Sequence, residues 1–250
     1  MLRRLHVRTI FFLFFLFCLK SLTSDEIKVQ TGLDRIFQEP FCKALKGKKI
    51  GLITNQTAVN KNLESSVTLF CKHQESCSYE LVALFAPEHG LTGAQYAGKL
   101  VQNDKSKAGI PIYSLHGQTR RPTKEMLKNV NLLVFDIQDI GSRSYTYAST
   151  LCYVMEEAAK NKIPVMVLDR PNPINGIIVD GPFLEDAYRS FVGYVDIPYC
   201  HGLTIGELAS YFNSEYKVGA TLQIVPMLGW KREMSFEDTG LPWIPTSPNV

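Results

Sequence analysis

The sequence predicts an α/β fold: a doubly wound, mainly parallel sheet flanked by helices. Three observations predict it. From about residue 47 onward, short apolar runs alternate with amphipathic segments, the pattern of strands joined by helical crossovers. The run over residues 132–137 is apolar nearly throughout, as a strand covered on both faces should be. The predicted strand ends carry polar side chains one after another, and the carboxyl edge of a parallel sheet is where loops and helix amino termini converge on a ligand.

Taken in order, residues 49–54 (KIGLIT) read as the first strand and 64–71 as the helix that follows it. Residues 81–85 (LVALF) form the second strand, ahead of Pro87, residues 110–113 (IPIY) the third and residues 132–137 the fourth. A helix is expected over 145–160 and a fifth strand over 164–168 (PVMVL). Residues 204–212 predict a helix opened by the capping-box pair Thr204 and Glu207, and 222–225 (LQIV) a final strand.

The first residues, 1–24 (MLRRLHVRTIFFLFFLFCLKSLTS), have a basic start, an apolar core over 10–19 too short to span a bilayer comfortably, and small polar residues behind it. This is the layout of a secretory signal peptide, with an uncleaved membrane anchor as the alternative. Export to the periplasm is the expectation, with no stable membrane insertion once the signal is removed. The α/β domain is expected over 25–240. At 250 residues, 45% hydrophobic and 20% charged, the chain has an ordinary globular composition. A net charge of +3, drawn partly from Arg3, Arg4 and Arg8, leaves no nucleic-acid footprint. Of six cysteines, Cys18 falls in the signal, Cys71 and Cys77 are the one close pair and could close a small loop, and Cys152 and Cys200 read as small buried hydrophobes. No spacing suggests a thiolate zinc site. The proline-rich stretch 241–250 (LPWIPTSPNV) has no periodic element and predicts the start of a linker to a further domain.

Asn55 follows the first strand, Glu88 and His89 the second, and His116 the third. Asp136, Gln138, Asp139, Arg143 and Tyr145 follow the fourth, and Asp169, Arg170 and Asn172 the fifth. Structural readings stand beside the functional ones. Asn55, Asp139 and Asn172 are equally good turn and cap residues. Asp136 ends an apolar run, where an unpaired carboxylate is costly, so it is expected to pair with Arg143 or Arg170. Glu207 reads as a cap rather than a catalyst. His201 is either a loop histidine or a ligand contact, and Tyr145, Tyr147 and Trp230 are either stacking surfaces or core. Glu88, in a Pro-Glu-His-Gly turn with apolar flanks, is placed for a raised pKa and proton donation. The chain has no G-x-G-x-x-G, G-x-x-x-x-G-K-[ST] or G-x-S-x-G, which leaves carboxylate or metal chemistry.

The segments GLITNQTAV (51–59), LFAPEHGLTG (84–93), VFDIQDIGSRSYTY (134–147), LDRPNPING (168–176) and HGLTIGELA (201–209) together resemble the exo-β-N-acetylmuramidase family, bacterial glycoside hydrolases of peptidoglycan fragments. The resemblance runs from about Thr31 to the end of the chain. It implies a Rossmann-like domain joined to a smaller carboxy-terminal domain, a cleft between them, and release of terminal N-acetylmuramic acid from the non-reducing end without a cofactor or metal. Family members continue past the motif matched by residues 243–249, so most of the smaller domain is expected to be absent here.

By this resemblance Glu88 is the general acid, and His89 orients it or the substrate. A second carboxylate is expected at Asp136 or Asp139, or the sugar's own acetamido oxygen replaces it. Arg143 and Arg170 are expected to pair with the lactyl carboxylate of muramic acid. Asn55, Gln138, Tyr145, Asp169, Asn172 and His201 complete the expected substrate contacts. Two rival readings remain at this level: a metal-dependent hydrolase built on Glu88, His89, Asp136, Asp169 and His201, and a non-catalytic muramyl-sugar-binding protein.

Overall fold

The structure, a computed structural model, describes residues 29–106 and 109–247. The signal predicted over 1–24, with Cys18, lies outside them. The strands are β1 (Lys49–Thr54), β2 (Glu80–Ala86), β3 (Asp104–Lys105), β4 (Pro111–Ser114), β5 (Leu132–Asp136), β6 (Val165–Leu168) and β7 (Leu222–Val225). The helices are α1 (Gly32–Arg35), α2 (Phe41–Leu45), α3 (Ser66–Lys72), α4 (Lys124–Leu127), α5 (Thr146–Lys160) and α6 (Ile205–Glu215). Every predicted strand and helix is present, with ends moved by a few residues. Thus α3 starts after its N-cap Ser65, whose hydroxyl accepts the Thr68 N–H, and α6 starts after Thr204 with the expected capping box to Glu207.

The sheet order is β3-β4-β2-β1-β5-β6-β7, parallel throughout except for the short edge strand β3. Without β3, the parallel strands stand in the doubly wound order 3-2-1-4-5-6 of a Rossmann-like sheet. Alternation of side chains along each strand builds a core on both faces. Leu133 and Phe135 of β5, with Val165 and Val167 of β6, face Leu151, Val154 and Met155 of α5 and Leu208 and Phe212 of α6. Leu132, Val134, Met166 and Leu168 point the other way, toward Leu33, Ile36, Leu45 and Phe70. Each such fully buried side chain contributes about 1.5–3 kcal/mol. Burial on both sides explains why β5 reads as a continuous apolar run.

The expected cysteine pairing is corrected. Cys77 bonds to Cys42, with a Cα–Cα distance of 5.3 Å, because α2 packs against the end of α3. Cys71 and Cys152 are free thiols, Cys152 buried as expected, and Cys200 is only half-buried.

Candidate active site

The loops after β1, β2, β4, β5 and β6 meet at one edge of the sheet. Between β1 and β5 the chain switches from building one side of the sheet to building the other, which opens the crevice where such sheets bind ligands. Pro87 closes β2 just before Glu88, and His89 takes a left-handed backbone with φ 68°. One Glu88 oxygen, Oε2, accepts the hydroxyl of Thr146, first residue of α5, at 2.7 Å. The other, Oε1, accepts the Gly98 N–H at 2.7 Å and lies 3.6 Å from His116 Nε2. Gly98 belongs to a strap, residues 89–101, that returns to the sheet edge where Val101 N–H donates to the His116 carbonyl at 2.8 Å.

These partners correct the pKa expected for Glu88. Burial pushes the carboxyl up, but the Gly98 N–H, the Thr146 hydroxyl and the His116 and His89 imidazoles outweigh it, so the group sits below its ordinary 4.5. The apolar flanks were visible in sequence, whereas the donors are brought in by the strap at Gly98 and by Thr146, 58 positions along the chain. His116 is also lowered, first by its burial and further by Arg120 and His89, against the opposing pull of Glu88. His89 is buried, with its Nδ1 donating to the Gln95 carbonyl at 2.9 Å. Its Nε2 is then the acceptor for the Ser247 hydroxyl at 3.3 Å, so His89 ties the strap to the end of the chain.

Asp136 is wholly buried and pairs with Arg170, the second of its two expected partners. Arg170 Nε reaches Oδ1 at 2.6 Å and Nη2 reaches Oδ2 at 3.1 Å, while Nη1 donates to the Val59 carbonyl at 3.1 Å. The two groups satisfy each other, and neither presents a face to a substrate. Asp169 is similarly enclosed, accepting from Gly206 N–H at 2.8 Å, Arg170 N–H at 3.0 Å and the Thr204 hydroxyl at 3.1 Å. Burial outweighs these donors and pushes it up to about 6. Its place is the amino terminus of α6.

Asp139 is the carboxylate on this edge that keeps an oxygen without a partner. Its Oδ2 accepts the Gly141 N–H at 2.8 Å and faces His201 Nε2 at 3.7 Å, while its buried Oδ1 has no hydrogen-bond partner. His201 Nδ1 accepts the Leu203 N–H at 3.1 Å, which leaves the ring hydrogen on Nε2, toward Asp139. Gly141, at φ 82°, is required here: a Cβ would lie 2.2 Å from Asn172 Oδ1. Asn172 itself closes a turn, accepting from Ile174 N–H and donating to the Leu203 carbonyl.

Asn55 Oδ1 accepts from the Thr57 backbone and hydroxyl, and Gln138 donates to the carbonyls of Asp139 and Pro171. Arg143 gives its Nη1 to the Pro182 and Ile197 carbonyls, and Tyr145, the N-cap of α5, lies edge-on to Tyr147. Tyr147 is core, with its hydroxyl donating to the Thr246 carbonyl at 2.6 Å. Burial raises its pKa, and the nearby Glu88 and Asp139 carboxylates add to that.

The stretch expected to begin a linker lies across this edge. Besides Thr246 and Ser247, Pro245 takes part by accepting Gln56 Nε2 at 3.1 Å. On this edge Asn55 Nδ2, Gln56 Oε1, His116 Nδ1, Asp139 Oδ1 and His201 Nε2 are buried without hydrogen-bond partners. Unpartnered buried polar atoms are scarce in folded proteins, and donors and acceptors gathered on one edge suit a hydroxyl- and amide-bearing ligand. Among the described residues no three His, Cys, Asp or Glu side chains come together as metal ligands. Sequence reading missed Thr146, Gly98, Gln56 and residues 245–247 as parts of the site. His116 stood at a strand end without a role.

Comparison with known proteins agrees with this architecture. Residues 50–250 match the family described as exo-beta-N-acetylmuramidase NamZ, N-terminal. The chain is 52% identical over 232 residues to the Bacillus subtilis (strain 168) protein named peptidoglycan beta-N-acetylmuramidase NamZ, covering 92% of this chain and 55% of that protein. It therefore spans about half the length of the curated relative it matches. Two DUF1343 family crystal structures from Bacteroides fragilis NCTC 9343 share the fold. One has a TM-score of 0.80 at 47% identity, covering 89% of this chain and 56% of the other. The second has a TM-score of 0.68 at 30% identity, covering 83% of this chain and 54% of the other. With the family match extending from β1 through residue 250 and the sheet intact, this chain belongs to the exo-β-N-acetylmuramidase NamZ family, in its N-terminal part.

Proposed function

We propose that this chain carries the catalytic edge of an exported exo-β-N-acetylmuramidase, which removes terminal N-acetylmuramic acid from peptidoglycan fragments in the periplasm. The observation that carries the reading is Glu88, held at a strand end by Thr146 and Gly98, with Asp139 on the same sheet edge keeping one oxygen without a partner. Glycoside hydrolysis needs a proton for the leaving oxygen and a second group that stabilises or attacks the anomeric carbon. Glu88 supplies the first. Ionised at rest, it takes up its proton when a sugar displaces the Gly98 N–H and removes one of the partners that hold its pKa down.

The second role passes from Asp136 to Asp139, because Asp136 is closed by Arg170 whereas Asp139 keeps a free oxygen. Asp139 acts on the anomeric carbon through water or directly, or it receives the acetamido N–H while that group's oxygen attacks. The lactyl carboxylate falls to Arg143, whose Nε and Nη2 have no partner among the described residues, rather than to the committed Arg170. The test is incubation of the protein with muramyl-terminated peptidoglycan fragments and mass analysis of the products. Free N-acetylmuramic acid from the non-reducing end supports the proposal, and internal cleavage or sugar binding without release refutes it.

A further inference from the structure

His116 has no part in the roles assigned above, yet it is one of the most confined polar groups on this edge. It follows β4, is 4% exposed, and sits under the ring of Phe191 at 5.8 Å between centroids. Its Nε2 lies 3.6 Å from Glu88 Oε1, on the oxygen that also accepts the Gly98 N–H. Its backbone is fixed at both ends, by the Ser114 hydroxyl accepting its N–H at 3.1 Å and by Val101 donating to its carbonyl at 2.8 Å. Its Nδ1 is buried and has no partner.

The last fact sets its charge. An imidazolium would carry an N–H at the buried Nδ1 with no acceptor, and a buried unmatched donor is costly. A neutral ring with its hydrogen on Nε2 leaves only a bare lone pair at Nδ1 and turns the N–H toward the carboxylate. The other titratable and charged groups around the ring agree. Arg120 and His89 disfavour a positive charge there, and Glu88 is the one group that favours it.

We infer that His116 is a positioning residue for Glu88, a neutral ring whose Nε2–H is turned toward Oε1 and steadies the carboxylate when a sugar takes the place of the Gly98 N–H on that oxygen; the inference deepens the muramidase reading and rests on it for the reaction concerned. Its role differs from that of a proton shuttle, which would have to charge and discharge during turnover.

Nitrogen NMR of the full chain labelled at histidine, with carbon NMR of its glutamate carboxyls, tests the state without turnover. At pH 7 His116 is expected as the neutral Nε2–H tautomer, and in His116→Ala the Glu88 carboxyl is expected to titrate higher, with His116→Gln restoring it. An imidazolium at pH 7, or a Glu88 titration indifferent to His116→Ala, overturns the inference. On a chromogenic β-N-acetylmuramide, His116→Ala is expected to lower kcat about 10-fold, the low end of the scale for a hydrogen bond to a charged group because Nε2 stands 3.6 Å from Oε1, with KM little changed. His116→Gln, a neutral donor, recovers most of that loss with the pH profile unmoved. A folded His116→Gln as slow as His116→Ala, or one that loses a limb of the profile, assigns proton transfer to His116 and overturns the positioning role. Absence of turnover in the unaltered chain counts against the muramidase reading, while the NMR result still decides the role of His116.

Discussion

Replacing Asp136 by alanine isolates the ion pair that braces the crevice. The change leaves a guanidinium that is 4% exposed with only the Val59 carbonyl at 3.1 Å, after losing contacts at 2.6 and 3.1 Å to a wholly buried carboxylate. Two charge-assisted hydrogen bonds at about 1.5–3 kcal/mol each bracket the loss from the contact side. Breaking a buried pair by removing one partner gives about 3–5 kcal/mol from the desolvation side. The two routes agree on about 4 kcal/mol. With a urea slope of about 3 kcal/mol/M, the unfolding midpoint falls by roughly 1.3 M. Circular dichroism in urea at pH 7, with the disulfide kept oxidised, reads this directly. Asp136→Ala combined with Arg170→Met removes both charges and is expected to recover at least about 2 kcal/mol of the single-variant loss. A midpoint shift below about 0.4 M for Asp136→Ala, or a double variant whose loss equals the sum of the singles, refutes the reasoning.

Because the Glu88 pKa is lowered in the folded protein, its contribution to stability is present above the unfolded value near 4.5 and disappears as pH falls through the folded value. Urea midpoints from pH 7 to 3 should therefore fall less steeply for Glu88→Gln than for the unaltered chain. Gly141→Ala meets both a φ of 82° and an oxygen 2.2 Å from the new Cβ, and should cost at least about 1 kcal/mol in the same assay while misplacing Asp139. Cys42→Ser opens a loop of 35 positions and should lower stability by about 4 kcal/mol under oxidising conditions, while Cys71→Ser leaves the midpoint nearly unchanged.

The fold was legible because its signals are local. Alternating runs, the Thr204–Glu207 capping box and the two-sided burial of β5 each write themselves into a few consecutive residues. The short elements α1, α2, α4 and β3 are too brief for a period to show, and tertiary contacts maintain them. Site chemistry was legible as residue types at strand ends, and illegible as partnerships. That Asp136 is fully paired while Asp139 keeps an oxygen without a partner depends on Arg170, 34 positions from Asp136. The Glu88 environment depends on the Gly98 N–H, ten positions away across a strap, and on Thr146, 58 positions away, which together with His116 and His89 reverse the shift that the flanking apolar residues suggest. Cys42 and Cys77 teach the same lesson: close spacing favoured Cys71, and packing of α2 chose otherwise.

The most direct test of the central claim is kcat/KM on a chromogenic β-N-acetylmuramide for the unaltered protein beside Glu88→Gln and Asp139→Asn. The account predicts measurable release that falls by about 10²- to 10⁴-fold in Glu88→Gln, the scale of general acid–base catalysis, with a comparable loss in Asp139→Asn. Release that survives Glu88→Gln within about fivefold would contradict it, because proton delivery would then come from a group other than the carboxylate held by Thr146 and Gly98.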